Sequence, residues 1–402
     1  MTLDTTLLDA TRRITPVIRA HRAHAERERC LSAPVVDAMA EAGLWRLGIP
    51  RSLGGLEVDP LTCARVVEEV ALADSVAGWA LTNPMIYAWS CARLSNAGAE
   101  TVIRRYPHCI IVGSTPTAIQ AIPVPGGYRV TGRVPFVSNC QNATWYTANA
   151  RIGEGQPPLQ GTAPQALVRV FLPIEACEII DTWHVLGMRG TGSQDVVVTD
   201  VFVPEALTFP LTPDGGLGRH YQGALYRFPI VGIQAMVFPS VALAVARCAM
   251  DAVTTLAQGK TPAVTTMPLR ERASTQMKLA QAEALWRAGR ALLYEALRAA
   301  WDVCVAGEPL TLRQKADLLL ALTQAVSGAA TAVEWMWSVA GTSGIFQASP
   351  LERYFRDMQV LKHHAFYSIQ EKDFCENAPK PPGPMQSGDH RVQALLLVHW
   401  QT

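Results

Sequence analysis

The hydrophobic period changes twice along this chain, and that change constrains its fold more than any single motif. Up to about residue 110 the apolar residues keep helical spacing, from Ile110 they alternate, and from about Pro229 helical spacing returns and persists. In the first part, Thr11 to Arg29, Ala33 to Ala42 and Val76 to Cys91 read as helices. Asp59-Pro60 is a helix start, because an aspartate accepts first-turn N–H bonds and proline suits the first helical position. It opens a helix over Leu61 to Leu72, with Glu68 and Glu69 expected on the exposed side.

In the second part, Tyr128, Val130, Gly132, Val134, Phe136 and Ser138 share one face of an extended strand, preceded by a Gly126-Gly127 turn. Trp145 to Ala150, Ala166 to Leu172 and Val196 to Val203 are further strands. In the third part, Leu279, Trp286, Leu293, Leu297 and Trp301 keep helical spacing, as do Leu318, Leu322, Ala325, Ala329, Val333 and Trp337. The sum is an α+β chain: an N-terminal helical domain over 1–110, a central β domain over 111–225 and a C-terminal helical bundle over 226–402.

Charge narrows the partners. With 35 basic and 34 acidic residues and a net charge of +1, neither nucleic acid nor a membrane surface is an expected partner. Hydrophobic residues make up 49% and charged ones only 17%, a surplus that subunit interfaces would absorb. Nine scattered cysteines without a C-x-x-C pair point to reduced thiols in a cytoplasm, and away from a zinc site. The start lacks a secretory pattern, and the apolar window Phe228 to Ala246, interrupted by Pro229, Gln234, Pro239 and Ser240, reads as a buried helix.

The stretch Asp181 to Glu205, DTWHVLGMRGTGSQDVVVTDVFVPE, places Gly187, Gly190 and Gly192 among small hydroxyls, just ahead of a valine-rich strand. Glycines there let backbone N–H groups approach a planar, polar-edged ligand, although an ordinary glycine-rich hairpin would look the same. No Gly-Lys-Ser/Thr follows and no G-x-G-x-x-G is present, so a phosphate cradle is not indicated.

Five segments in order, IPRSLGGLEVDP, GSTP at 113 to 116, GYRVTGRVPFVSN, GMRGTGSQD and PLERYFRD at 350 to 357, resemble the acyl-CoA dehydrogenase superfamily over most of the chain. Within it the resemblance is nearer to the two-component flavin-dependent monooxygenases, such as 4-hydroxyphenylacetate hydroxylase oxygenase components and dibenzothiophene monooxygenase. It implies an acyl-CoA dehydrogenase-like fold with a central β-barrel-like domain and a C-terminal four-helix bundle. It also implies a homotetramer, reduced FMN or FAD delivered by a separate NAD(P)H-dependent reductase, and dioxygen as co-substrate. Hydroxylation of an aromatic or heteroaromatic small molecule would run through a C4a-hydroperoxyflavin.

The alternatives are an acyl-CoA dehydrogenase or nitroalkane-oxidase-like flavoenzyme, and a helical assembly protein without flavin. A dehydrogenase needs a positioned carboxylate base. Asp357 is the sole carboxylate between Arg356 and Tyr367, where the family pattern pairs it with its arginine, and none lies between Gly215 and Met250.

The resemblance assigns flavin contacts to Gly113, Ser114, Pro116, Phe136, Ser138, Met188, Arg189, Thr191, Gly192 and Ser193, with Arg272 and Gly341 where a neighbouring subunit would close. Ser138 is placed against flavin N5 and Phe136 beside the ring, where its alternation with Val134 would equally make it core. His364, or His363 one residue away, is the candidate for proton handling. His184 reads as structural or cofactor-adjacent.

Overall fold

Capping side chains set where several of the N-terminal helices begin. The computed structural model describes residues 4–153, 166–211, 216–263 and 265–364. Asp4 accepts the Leu7 N–H and opens α1 (Thr5–Ala20). A non-helical His21 then separates α2 (Arg22–Glu28), so the expected single helix from Thr11 to Arg29 is two. After α3 (Ala33–Glu41), Asp59 accepts both Leu61 N–H and Thr62 N–H at 3.0 Å and opens α4 (Pro60–Ala73), as the Asp-Pro pair predicts.

The expectation that Glu68 is exposed fails. α4 is enclosed nearly all round, and Glu68, 2% exposed, is held by Arg65 at 3.2 Å. Helices α5 (Ser75–Ala80), α6 (Thr82–Ser90) and α7 (Asn96–Arg104) complete this part.

Eight strands among the described residues form one mixed sheet: β1 (Ile111–Gly113), β2 (Ile119–Val124), β3 (Gly127–Val137), β4 (Trp145–Ile152), β5 (Leu167–Pro173), β6 (Glu178–Ile180), β7 (Gln194–Pro204) and β8 (Thr208–Pro210). Its order is β6-β7-β3-β2-β4-β5-β8, with β1 added parallel to β4. Val124 pairs with Gly127, so the β2–β3 turn is Pro125-Gly126, and Gly126 takes the positive φ of 82° that such a turn requires.

Alternation along β3 holds to Val134 and then breaks. The β3–β7 register shifts between Val134 and Val137, and Phe136, at φ 63°, turns out of the core to 62% exposure.

Two compact units divide the chain between Ala244 and Val245. The first holds the helices and sheet just described, α8 (Ala224–Arg227) and the first half of α9 (Ile230–Gly259). The second holds the rest of α9, α10 (Ala273–Val305), α11 (Leu312–Ala340) and α12 (Pro350–Leu361). A capping box of Thr311 and Gln314 starts α11. Gly289 lets α10 meet α11 so closely that a Cβ there would lie 3.0 Å from Ala325 Cα, and Trp337 stacks on Phe355 at 4.4 Å to hold α12.

Two helices, Ile230–Gly259 and Leu312–Gly344, are long and apolar enough to cross a membrane. For the first, 83% of the apolar window is already buried in protein, in keeping with the core helix expected from its prolines and polar residues.

Candidate functional site

The bulge at Val134–Val137 and the glycine loop meet across β3 and β7, and between them runs a chain of hydroxyls. Trp79 Nε1–H donates to Ser138 Oγ (3.1 Å), Ser138 Oγ lies 2.8 Å from Ser193 Oγ, and Ser193 Oγ lies 2.8 Å from Thr191 Oγ1. Thr191 spends its one proton on the Met188 carbonyl at 2.8 Å. That fixes the rest: Ser193 donates to Thr191, and Ser138 donates to Ser193. Ser138 therefore receives from Trp79, gives to Ser193, and keeps only a lone pair for anything else.

The backbone around this chain is held in uncommon conformations. Phe136, Asn139 and Met188 have φ of 63°, 61° and 52°, and Gly192 has 49°. Strain of this kind persists where neighbours over-determine it, and here they do. Asn139 N–H donates to the Thr191 carbonyl at 2.7 Å, and Gln194 Oε1 accepts the Thr182 and Trp183 N–H groups at 2.8 and 2.7 Å. Arg189 folds back onto the Val185 carbonyl at 2.9 Å, so it braces its own loop. A Cβ on Gly190 would lie 2.8 Å from the Ala25 carbonyl, which places the loop hard against α2.

Arg29, at the end of α2, grips Asp181 with both guanidinium nitrogens and holds its carboxyl below the usual range. His184 is exposed and touches Arg29 at 3.2 Å. Trp183 and its neighbours form a loop.

Asn83 brings the GSTP segment to the same place. Its Nδ2 donates at 3.4 Å to both the Gly113 and Ser138 carbonyls. Gly113 has no room for a side chain, since a Cβ would lie 2.3 Å from the Thr147 carbonyl and 2.9 Å from Tyr87 Cζ. Ser114 is 9% exposed and Pro116 is exposed. Gly113, Ser138, Met188, Thr191, Gly192 and Ser193 are thus one cluster, with Phe136 at its rim edge-on to Trp183 (6.1 Å, 87°).

The remaining residues singled out from sequence belong to the second unit. Arg272 is the N-cap of α10 without a side-chain cap bond, and Gly341 closes α11 at φ 54° with open space around it. His363 is exposed. Enclosure pulls the His364 imidazole down to about 4. Asp357, fully buried, faces Arg353 at 3.5 Å, while Arg356 grips Glu352.

The site suits a planar ring with polar edges. Exposed Phe136 and Leu186 (62% and 56%) give it apolar walls, and Asn139, 3% exposed, has an Nδ2 with no partner among the described residues. Sequence reasoning missed Trp79, Asn83 and Asn139. Trp79 was visible only as part of a Gly-Trp pair, 59 residues from the serine it serves.

Comparison with known proteins gives a consistent set of similarities. The family descriptions "Acyl-CoA dehydrogenase, N-terminal domain" and "Acyl-CoA dehydrogenase, C-terminal domain" match residues 5–109 and 236–369. The chain is 31% identical over 351 residues to an indole-3-acetate monooxygenase of Pseudomonas putida, covering 87% of each. It is 28% identical to the HsaA oxygenase subunit of a flavin-dependent monooxygenase of Rhodococcus jostii, covering 88% of this chain and 92% of that protein. Among solved structures, XiaF of Streptomyces sp., in complex with FADH2 and glycerol, superposes with a TM-score of 0.82 at 25% identity, covering 90% of this chain and 91% of that one.

Proposed function

This chain belongs to the acyl-CoA dehydrogenase family, and within it we propose that it is the oxygenase component of a two-component flavin-dependent monooxygenase that hydroxylates an aromatic or heteroaromatic small molecule. The observation that carries the proposal is the fixed direction of the Trp79–Ser138–Ser193–Thr191 hydroxyl chain. Ser138 can only accept. It is therefore complementary to the N5–H of a reduced flavin and not to the bare N5 of an oxidised one.

When bound, reduced flavin supplies the electrons that activate dioxygen, one oxygen atom passing to the substrate ring and the other leaving as water. The protein's part is placement. Gly113, Met188 and Gly192 would bring backbone against the ring, Phe136 and Trp183 would wall it, and Ser138 would hold the N5 proton in place. His364, neutral at pH 7, would accept a proton from the substrate, and Arg272 and Gly341 would serve the distal end of the cofactor of a neighbouring copy.

Three further features support the reading. Asp357 is engaged with Arg353 and is not available as the base a dehydrogenase needs. Exposed Met277, Leu320, Ile345 and Phe346 in the second unit are the kind of surface a homotetramer covers. All eight cysteines among the described residues are free thiols, as a cytoplasmic enzyme served by a separate NAD(P)H-dependent reductase would have.

The test is to load the purified protein anaerobically with reduced FMN or FAD, mix it with oxygenated buffer and an aromatic substrate, and measure hydroxylated product against hydrogen peroxide. Coupled product formation without any acyl-CoA supports the reading. Tightly retained FAD that is reduced by an acyl-CoA or a nitroalkane overturns it.

A further inference from the structure

We propose that Arg93 and Arg169 form a buried receptor for the carboxylate of an aromatic acid substrate. The proposal rests on the oxygenase reading above and names the substrate class for that site.

Arg169 stands on β5 directly across from Asn149 on β4, and its Nη2 donates to Asn149 Oδ1. The residue is 8% exposed, and its Nη1 is buried with no partner among the described residues. Arg93, in the turn Cys91–Arg93 that follows α6, lies over the Trp89 ring at 4.3 Å, and its Nη1 is likewise buried and unpartnered. Neither guanidinium has a carboxylate partner among the described residues, whereas Arg12, Arg29, Arg65 and Arg105 in the same part of the chain each have one.

Stacking on Trp89, and on Tyr87 at 5.3 Å for Arg169, accounts for the flat faces of the two groups. It leaves one buried Nη1 on each without a partner among the described residues. A buried cation without a counter-ion is costly, and two near one another are more so. The Arg93 guanidinium is accordingly pulled down, first by burial and then by the charge of Arg169. An anion relieves both penalties, and the planar forks match a carboxylate.

Position argues for the substrate's anion. Tyr87, beside Arg169, is four residues beyond Asn83 on the same face of α6. Asn83 reaches the Ser138 and Gly113 carbonyls, and Tyr87 lies where a Gly113 side chain would be. Receptor and hydroxyl chain are thus linked through one turn of α6, Asn83 touching the Ser138 carbonyl and Tyr87 touching Arg169. An arylalkanoic acid spans that interval with its ring toward Ser138 and its carboxylate between the arginines.

The experiment is calorimetric titration of the flavin-free protein with indole-3-acetate and with its neutral carboxamide, and separately with FMN and riboflavin. The acid should bind on the order of 10- to 100-fold more tightly than the amide. The ratio should fall to about one in Arg169→Met and Arg93→Met, with partial recovery in Arg169→Lys. Equal affinities in the unaltered protein, which needs no variant to fold, would overturn the proposal. So would a ratio that survives both substitutions, or variants that lose FMN but not riboflavin, which would make the anion the flavin phosphate. Acid preference in a protein that oxygenates nothing would leave the receptor standing and remove the oxygenase reading.

Discussion

Trp79 donates its indole N–H to Ser138 across 3.1 Å, and through that one bond a helix of the N-terminal part closes the accepting end of the hydroxyl chain whose direction Thr191 fixes at the Met188 carbonyl. The indole is itself held, stacked on Phe238 at 5.2 Å. Donor and acceptor are both buried, so the bond is protected from water.

Removing the end of that chain should uncouple the enzyme. In Ser138→Ala the yield of hydroxylated product per reduced flavin is expected to fall by about 10- to 100-fold, with the difference appearing as hydrogen peroxide. Trp79→Phe keeps the stacking on Phe238 and removes only the donor. It should give a smaller loss, because Ser138 still donates to Ser193 and loses only one incoming bond.

The glycine loop should tolerate no side chain at its contact with α2. Gly190→Ala is expected to cost about 2 kcal/mol or more, since the nearest atoms are the backbone and Cβ of Ala25 at 2.8–2.9 Å. Gly259→Ala, with nothing within 4 Å, should lie within about 0.5 kcal/mol of the unaltered protein. Thermal unfolding of the pair separates crowding from a general intolerance of substitution.

Stability should fall on acidification in a way that His364 partly explains. Its imidazole is lowered to about 4 by burial, against an ordinary value near 6.5. The unfolded chain therefore binds this proton first, and stability is full above about pH 6.5 and declines as pH drops toward 4. His364→Gln should flatten the melting temperature in that window relative to the unaltered protein.

Asp357→Ala is expected to destabilise the second unit by about 3–5 kcal/mol, because it strips the carboxylate from Arg353 inside the fold. Hydroxylation by whatever protein remains folded should be retained per molecule. A selective loss of turnover in well-folded Asp357→Asn would instead give this carboxylate a role in chemistry.

Much of the architecture was legible because it is locally written. Asp59-Pro60 starts a helix wherever it is placed, and Leu318 to Val333 declare their buried face by spacing alone. Phe136 was not legible: its strand continues to alternate in sequence, and only the register of β7 throws it outward. Glu68 was misread as exposed for a similar reason, since what covers α4 is distant in sequence. The five family-like segments marked the hydroxyls. Their order of donation, and the unpaired edges of Arg93 and Arg169, exist only once β3, β5, β7 and α6 are assembled.

The clamp between Arg29 and Asp181 joins residues 152 positions apart. Synthesis proceeds from the N-terminus at roughly 5–20 residues per second, so α2 leaves the ribosome many seconds before the loop it will hold. The receiving surface, Ala25 and Arg29, can already be folded when Asp181 to Gly192 emerge. The loop would then arrive at a finished mould, and the slow step in maturing this site would be the arrival of its own second half.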